Sequence, residues 1–204
     1  MPTDTFTLPG LSAPASISLD KRAMAHISAE TVRDAFFVQG FNAARDRLWQ
    51  IDLWRKRGLG LLAADFGPGY LMQDRAARLF LYCGEMEAEW AAYGQDAQMI
   101  CTAFVDGINA AVDQVVAGTL AMPPEFVELG THPAKWQPED VVRIRTDCLS
   151  RNAASELART QVQALADPQV DLLRVPLSPQ VPESEWLSAS QIRFYQYCSP
   201  GMAR

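Results

Sequence analysis

Between Phe37 and Ile51 the apolar residues Phe37, Phe41, Ala44, Leu48 and Ile51 recur at spacings of four, three, four and three. That period places them on one face of an α-helix, and it constrains the fold more than any other stretch of the chain. Ser28 is the expected N-cap, with Glu30 and Asp34 early in the helix to complement its dipole. Gly58 and Gly60 mark its end.

The other elements are read around this helix. Residues 1–19 mix small, polar and apolar types with Pro2, Pro9, Gly10 and Pro14, which predicts an extended start with one or two short strands, for example Ser16 to Leu19. Gly67-Pro68-Gly69 is a turn. Helical patterns follow over Asp74 to Tyr93 and over Asp96 to Ala117, with Gly118 closing the second. Met122 to Pro138 reads as a connector punctuated by Pro123, Pro124, Pro133 and Pro138. Pro138 suits the first position of a helix, with Glu139 and Asp140 in the first turn, and that helix is expected to run to about Leu165. Pro168, Pro176, Pro179 and Pro182 then break any long helix. The expected fold is mainly α with short N-terminal strands. Residues 1–167 form a helical region that is not autonomous, and 168–204 form a Pro-rich tail suited to lying on a partner chain.

Hydrophobic residues make up 49% of the 204 and charged residues 21%, the balance of a globular protein able to bury a sizeable core. The net charge of −6 and a pI near 4.9 disfavour binding to a phosphate backbone, so no nucleic-acid partner is expected. Cys83, Cys101, Cys148 and Cys198 show no paired spacing for zinc, and free buried thiols are favoured over disulfides. By sequence, no apolar stretch is long enough to span a bilayer, and no membrane partner is expected. Met1 to Leu19 lacks a basic segment followed by an apolar one. This leaves open an unexported chain and one whose signal has been removed.

Little chemistry is visible within the chain. His26 and His132 are the only histidines, and neither lies beside a serine or cysteine nucleophile motif. Glu85, Glu87 and Glu89 alternate and do not converge on a helix, so they read as a solvated face. Taken alone, the chain does not read as a complete enzyme.

One run is far more specific: Gln39-Gly40-Phe41-Asn42-Ala43-Ala44-Arg45-Asp46-Arg47-Leu48-Trp49-Gln50-Ile51-Asp52-Leu53-Trp54-Arg55-Lys56. It resembles the amino-terminal signature of the penicillin acylase family, G-Y-x-x-A-x-D-R-L-W-Q-M-D-L-x-R-R. Asp46, Arg47, Leu48, Trp49, Gln50, Asp52 and Leu53 match residue for residue. Further agreements follow in order. Asp34-Ala35-Phe36-Phe37 matches D-A-x-Y/F, and Gly60-Leu61-Leu62-Ala63 resembles G-R-L-A-E, with Asp74 and Arg78 beyond it. Gly107-Ile108-Asn109-Ala110 resembles G-V-N-A. Pro124-Glu125-Phe126 and Trp136-Gln137-Pro138-Glu139-Asp140 match P-E-F and W-x-P-x-D. The resemblance covers about residues 17 to 160. Ala23-Met24-Ala25-His26-Ile27 departs from the usual G-I/V-P-H-I, and Leu61 and Ala64 replace an Arg and a Glu.

The resemblance implies the small subunit of an amidohydrolase made as one precursor. Autocatalytic cleavage would expose a serine at the start of a larger β chain, and the catalytic residues of this chain would be none. The free serine amine, with a pKa of about 7.7–8.0 in model compounds, would serve as base. An acyl-enzyme would form and water would release the acid. The assembled fold would be an α/β sandwich of αββα layers, an N-terminal-nucleophile (Ntn) hydrolase. The implied substrates are N-acyl homoserine lactones, penicillin-type β-lactams, or both, with a lean toward aliphatic acyl chains. On this chain, Leu149 and Arg151, then Cys148 and Asn152, would line the acyl pocket, although Cys148 and Leu149 read equally well as core. Glu156 would give one carboxylate oxygen to a shared calcium ion, the alternative being an ion pair with Arg159. Asp46 and Arg47 are expected to lock helices together, His26 to pack, and Trp136 to anchor the core. Export to the periplasm is the family habit. Two other readings stay open: a stand-alone helical binding or scaffold protein, and an inactive truncated homologue.

Overall fold

A computed structural model describes residues 5–145 and 153–165. The chain divides into two compact units, Met1–Arg145 and Thr146–Arg204. The first unit opens with strands β1, Ser16–Leu19, and β2, Ala25–Ser28. They pair antiparallel, with Ile17 opposite Ile27 and Ser18 opposite His26. The Asp20 carboxylate shapes the turn between them by accepting the backbone N–H groups of Arg22 and Met24 at 2.8 and 2.9 Å.

Helix α1 spans Val32–Leu59. Its N-cap is Thr31, not Ser28: the Thr31 hydroxyl accepts the Asp34 N–H at 3.0 Å, while Ser28 is committed to the β2 ladder opposite Ser16. The helix breaks regular geometry at Arg47, where φ is −145° and ψ 37°. It ends at Gly60, whose φ of 67° is the left-handed conformation that glycine adopts without strain. Gly58, expected as a terminator, lies inside the helix. Its missing side chain admits Ile144, whose Cβ would stand 2.6 Å from an added methyl.

Next come α2, Leu62–Phe66, a single 3₁₀ turn at Pro68–Tyr70, and α3, Leu71–Phe80. The single helix expected over Asp74 to Tyr93 is broken, with α4 beginning afresh at Met86–Ala92. At the break, Arg143 donates to the Tyr82 carbonyl at 3.1 Å. A continuous helix would commit that carbonyl to the N–H four residues on.

Helix α5, Ala97–Val116, packs along α1. Two glycines set the approach. A Cβ at Gly40 would lie 1.9 Å from the Phe104 carbonyl oxygen, and one at Gly107 would lie 1.9 Å from the Phe37 carbonyl oxygen. The core forms on this seam from Phe37, Phe41, Ala44 and Leu48 of α1 and Val105, Ile108, Ala111, Val112 and Val115 of α5. Each large apolar side chain buried there contributes about 1.5–3 kcal/mol of transfer free energy. By length and composition α5 would be able to cross a bilayer, contrary to the sequence expectation. Its apolar residues nonetheless include much of this core.

The Pro-punctuated connector contains a short helix, α6, Pro124–Leu129, with Pro124 at its first turn and Gly130 in the left-handed conformation at its end. Helix α7 starts at Pro138, as expected, behind a capping box of Gln137 and Asp140. It ends at Arg143 and does not extend to Leu165, because Ile144 turns into the notch at Gly58. In the second unit, the described residues form α8, Ala153–Leu165.

Candidate functional site

The signature run supplies a buried polar lock. Asp52 is 1% exposed and meets Lys56 at 2.8 Å; Lys56 also reaches Asp65 at 2.6 Å. The Ala134 N–H donates to Asp52 at 3.4 Å. One turn of α1 thus ties α2 and the α6–α7 connector together. Burial pushes the Asp52 carboxyl up, against the pull of Lys56. Burial also works against the charged form of Lys56, but its hydrogen bonds to Asp52 and Asp65 outweigh that and raise its pKa. On the next face, Arg55 donates to Asp140 at 2.6 Å, and its guanidinium lies 5.9 Å from the Trp136 ring. Trp136 is buried, as expected, and exchanges two backbone hydrogen bonds with the Asn109 amide at 2.8 and 2.9 Å. Asp74 caps α2 by accepting the N–H groups of Leu62 and Ala63 at 2.9 and 2.7 Å.

Asp46 and Arg47 do not lock helices. Asp46 is half exposed and meets its neighbour Arg45 at 3.3 Å; Arg47 is exposed at the kink. The charged residues of this run that face the core are instead Asp52 and Lys56, further along α1. Trp49 packs edge-on to Phe126, with ring centroids 4.9 Å apart. His26 is not a packing residue: it is 59% exposed and lies 3.5 Å from Asp20. Its place on a two-stranded sheet leaves that face open to solvent. Among the described residues neither histidine meets a hydroxyl or thiol. Cys101 and Cys83 are free thiols. Cys83 is exposed, against the expectation of burial; burial pushes the Cys101 thiol up and keeps it protonated.

A cluster that the sequence did not reveal lies at the C-terminal end of the first unit. Arg145 pairs with Glu89 and stands 5.6 Å from the centroids of both Tyr82 and Tyr93. The Arg145 hydrogen bond holds Glu89 below the usual carboxylate range. Glu89 therefore departs from the solvated face expected of the acidic run, while Glu85 and Glu87 are exposed as expected. No spacing rule links Glu89 to a residue 56 positions away; only the folding of α4 onto the end of α7 joins them.

The expected pocket residues Cys148, Leu149, Arg151 and Asn152 lie outside the described residues. Glu156 lies in the first turn of α8, with Oε2 3.7 Å from Arg159 Nη1. Its backbone carbonyl accepts the Thr160 hydroxyl at 2.9 Å. Among the described residues no group of three metal-ligating side chains converges.

This scaffold has close relatives. A family model described as penicillin amidase matches residues 14–190. The chain is 32% identical over 134 residues to the penicillin acylase 2 proenzyme of Pseudomonas sp. (strain SE83), covering 66% of this chain and 17% of that protein. It is 28% identical over 144 residues to penicillin G acylase of Escherichia coli, covering 68% and 17%. It is 30% identical over 131 residues to the acyl-homoserine lactone acylase QuiP of Pseudomonas aeruginosa, covering 64% and 15%. The chain thus spans about a sixth of the length of the curated relatives it matches. In fold it resembles a chain of the thermostable penicillin G acylase from Alcaligenes faecalis, with a TM-score of 0.64 and 24% identity, covering 83% of this chain and 97% of that one. The ordered motifs, the helical scaffold they build and the match along most of the sequence agree: the chain belongs to the penicillin amidase family.

Proposed function

We propose that this chain is the small helical subunit of an N-terminal-serine amidohydrolase whose nucleophile resides on a larger chain of the same precursor. One observation carries this reading. The chain corresponds to 97% of a separate chain in a solved acylase, yet to only 17% of its curated relatives. That contrast supports a small chain cut from a longer precursor. One of those relatives is itself described as a proenzyme.

In this reading the larger chain completes an αββα sandwich and brings the serine, whose own amine takes the hydroxyl proton during attack on the acyl amide. Backbone and side-chain N–H donors of that chain hold the oxyanion. The helical subunit contributes a wall. Leu149 and Arg151 line the acyl pocket, with Cys148 and Asn152 behind them. Asp52, Lys56, Arg55 and Asp140 hold the scaffold rigid and touch no substrate. Glu156 gives one oxygen to a calcium ion that would tie the two chains together. Residues 1–167 are the helical region of the subunit, 168–204 lie on the larger chain, and the assembled protein resides in the periplasm. The substrate class is an amide joining an acyl chain to a small ring, either an N-acyl homoserine lactone or a penicillin-type β-lactam, the compounds after which the relatives are named.

Intact-mass measurement and N-terminal sequencing of every species in a native preparation test the proposal. A second, larger chain beginning with serine is expected, with amide hydrolysis only when both chains are present. Cleavage of acyl amides by the 204-residue chain alone would overturn it.

A further inference from the structure

We infer that a groove walled by α4, the start of α5 and the first turn of α7 receives a cationic side chain, arginine or lysine, from the larger chain; this rests on the two-chain reading above. The groove encloses about 740 Å³ and is lined by Glu87, Trp90, Tyr93, Gln95, Gln98 and Glu139, among others. Trp90 is only 9% exposed. Its ring lies 6.0 Å from that of Tyr93 at an interplanar angle of 52°, so the two present tilted aromatic walls. Glu87 and Glu139 face the groove with no ion pair among the described residues, and no lysine or arginine lines it.

Arg145 is held by Glu89 beside the Tyr82 and Tyr93 rings, and Arg143 donates to the Tyr82 carbonyl; among the described residues neither forms an ion pair with Glu87 or Glu139. Aromatic faces, two unpaired carboxylates and two side-chain amides together fit a guanidinium or ammonium group. The rings attract the cation, and the oxygens accept its N–H donors. Because the chain spans about a sixth of its curated relatives' length, a larger chain of the same precursor is the available source of that group. The described part of this chain brings no cation to the groove.

Carboxyl labelling of the native two-chain protein with a carbodiimide and glycine amide, read by peptide mass spectrometry, tests the inference. Glu87 is exposed in the isolated fold, so a free groove would let it label at the rate seen in the urea-unfolded protein. We expect both Glu87 and Glu139 to label far more slowly in the native protein. The double variant E87Q/E139Q should raise the dissociation constant between the chains about tenfold, with E128Q on α6 unchanged. Rapid labelling of Glu87 while the larger chain is present overturns the inference and leaves the two-chain reading intact. A preparation with one 204-residue species overturns both. Protection of Glu87 in such a preparation would mean that a second copy fills the groove.

Discussion

Arg55 Nε donates to Asp140 Oδ2 at 2.6 Å across 85 residues of sequence, and both side chains are nearly buried. Asp140 uses the same oxygen to accept the Gln137 N–H at 3.0 Å, so one carboxylate both caps α7 and fastens it to α1. Removing one partner leaves a buried charge uncompensated, whereas replacing both removes the desolvation cost as well. Asp140→Asn should therefore destabilise the native protein by about 3–5 kcal/mol, and the double change Arg55→Met with Asp140→Leu by less. Urea unfolding monitored by tryptophan fluorescence measures both. A double variant worse than the single would refute this account.

The α1–α5 seam admits no side chain at Gly40 or Gly107, because the opposing atoms are backbone and cannot rotate away. Gly40→Ala or Gly107→Ala should each cost at least about 1–3 kcal/mol, despite the better helix propensity of alanine. Gly69, with open space around it, is the control. Gly69→Ala should leave the thermal midpoint nearly unchanged in differential scanning fluorimetry.

Ser12 donates twice to Asp34, from its hydroxyl and from its backbone N–H, and these bonds hold the Asp34 carboxyl below its ordinary 3.8. A carboxyl whose pKa is depressed on folding stabilises the fold above its unfolded pKa, and that contribution is lost as pH falls through the folded value. Stability should therefore decline as pH drops below about 4, and Asp34→Asn should flatten part of that decline. Unfolding midpoints collected over an acid series provide the comparison.

Among the described residues, Lys56 is the one cation at hydrogen-bonding distance from both Asp52 and Asp65. Lys56→Met would leave Asp52 buried without its pull, so burial alone would raise the Asp52 pKa further. A raised carboxyl favours the fold below its unfolded pKa, a contribution lost as pH rises through the folded value. The variant should thus recover stability on mild acidification, relative to the unsubstituted protein. A stability gap that stays constant between neutral and acidic pH would contradict this.

The main fold-defining helix was legible because Phe37, Phe41, Ala44 and Leu48 carry a period that only a helix satisfies. Strand β1 and the helix start at Pro138 also follow from local chemistry, whereas the connector reading of Met122 to Pro138 leaves out α6. The signature run pointed to the family through residue identity, but not to which of its charges face inward. Asp46 and Arg47 look as ionic as Asp52 and Lys56 on paper; the kink at Arg47 and the position of α2 separate exposed from buried.

What the sequence determined by itself was local: helical periods, proline starts, the glycine at the end of α1 and the ordered motifs of an acylase. Each depends on residues within a few turns of one another, where backbone geometry and side-chain identity suffice. The break after Phe80, the Glu89–Arg145 cluster and the end of α7 at Ile144 were decided by tertiary structure. In each, a partner dozens of residues away takes a carbonyl, a charge or a notch that local rules would have assigned to a neighbour.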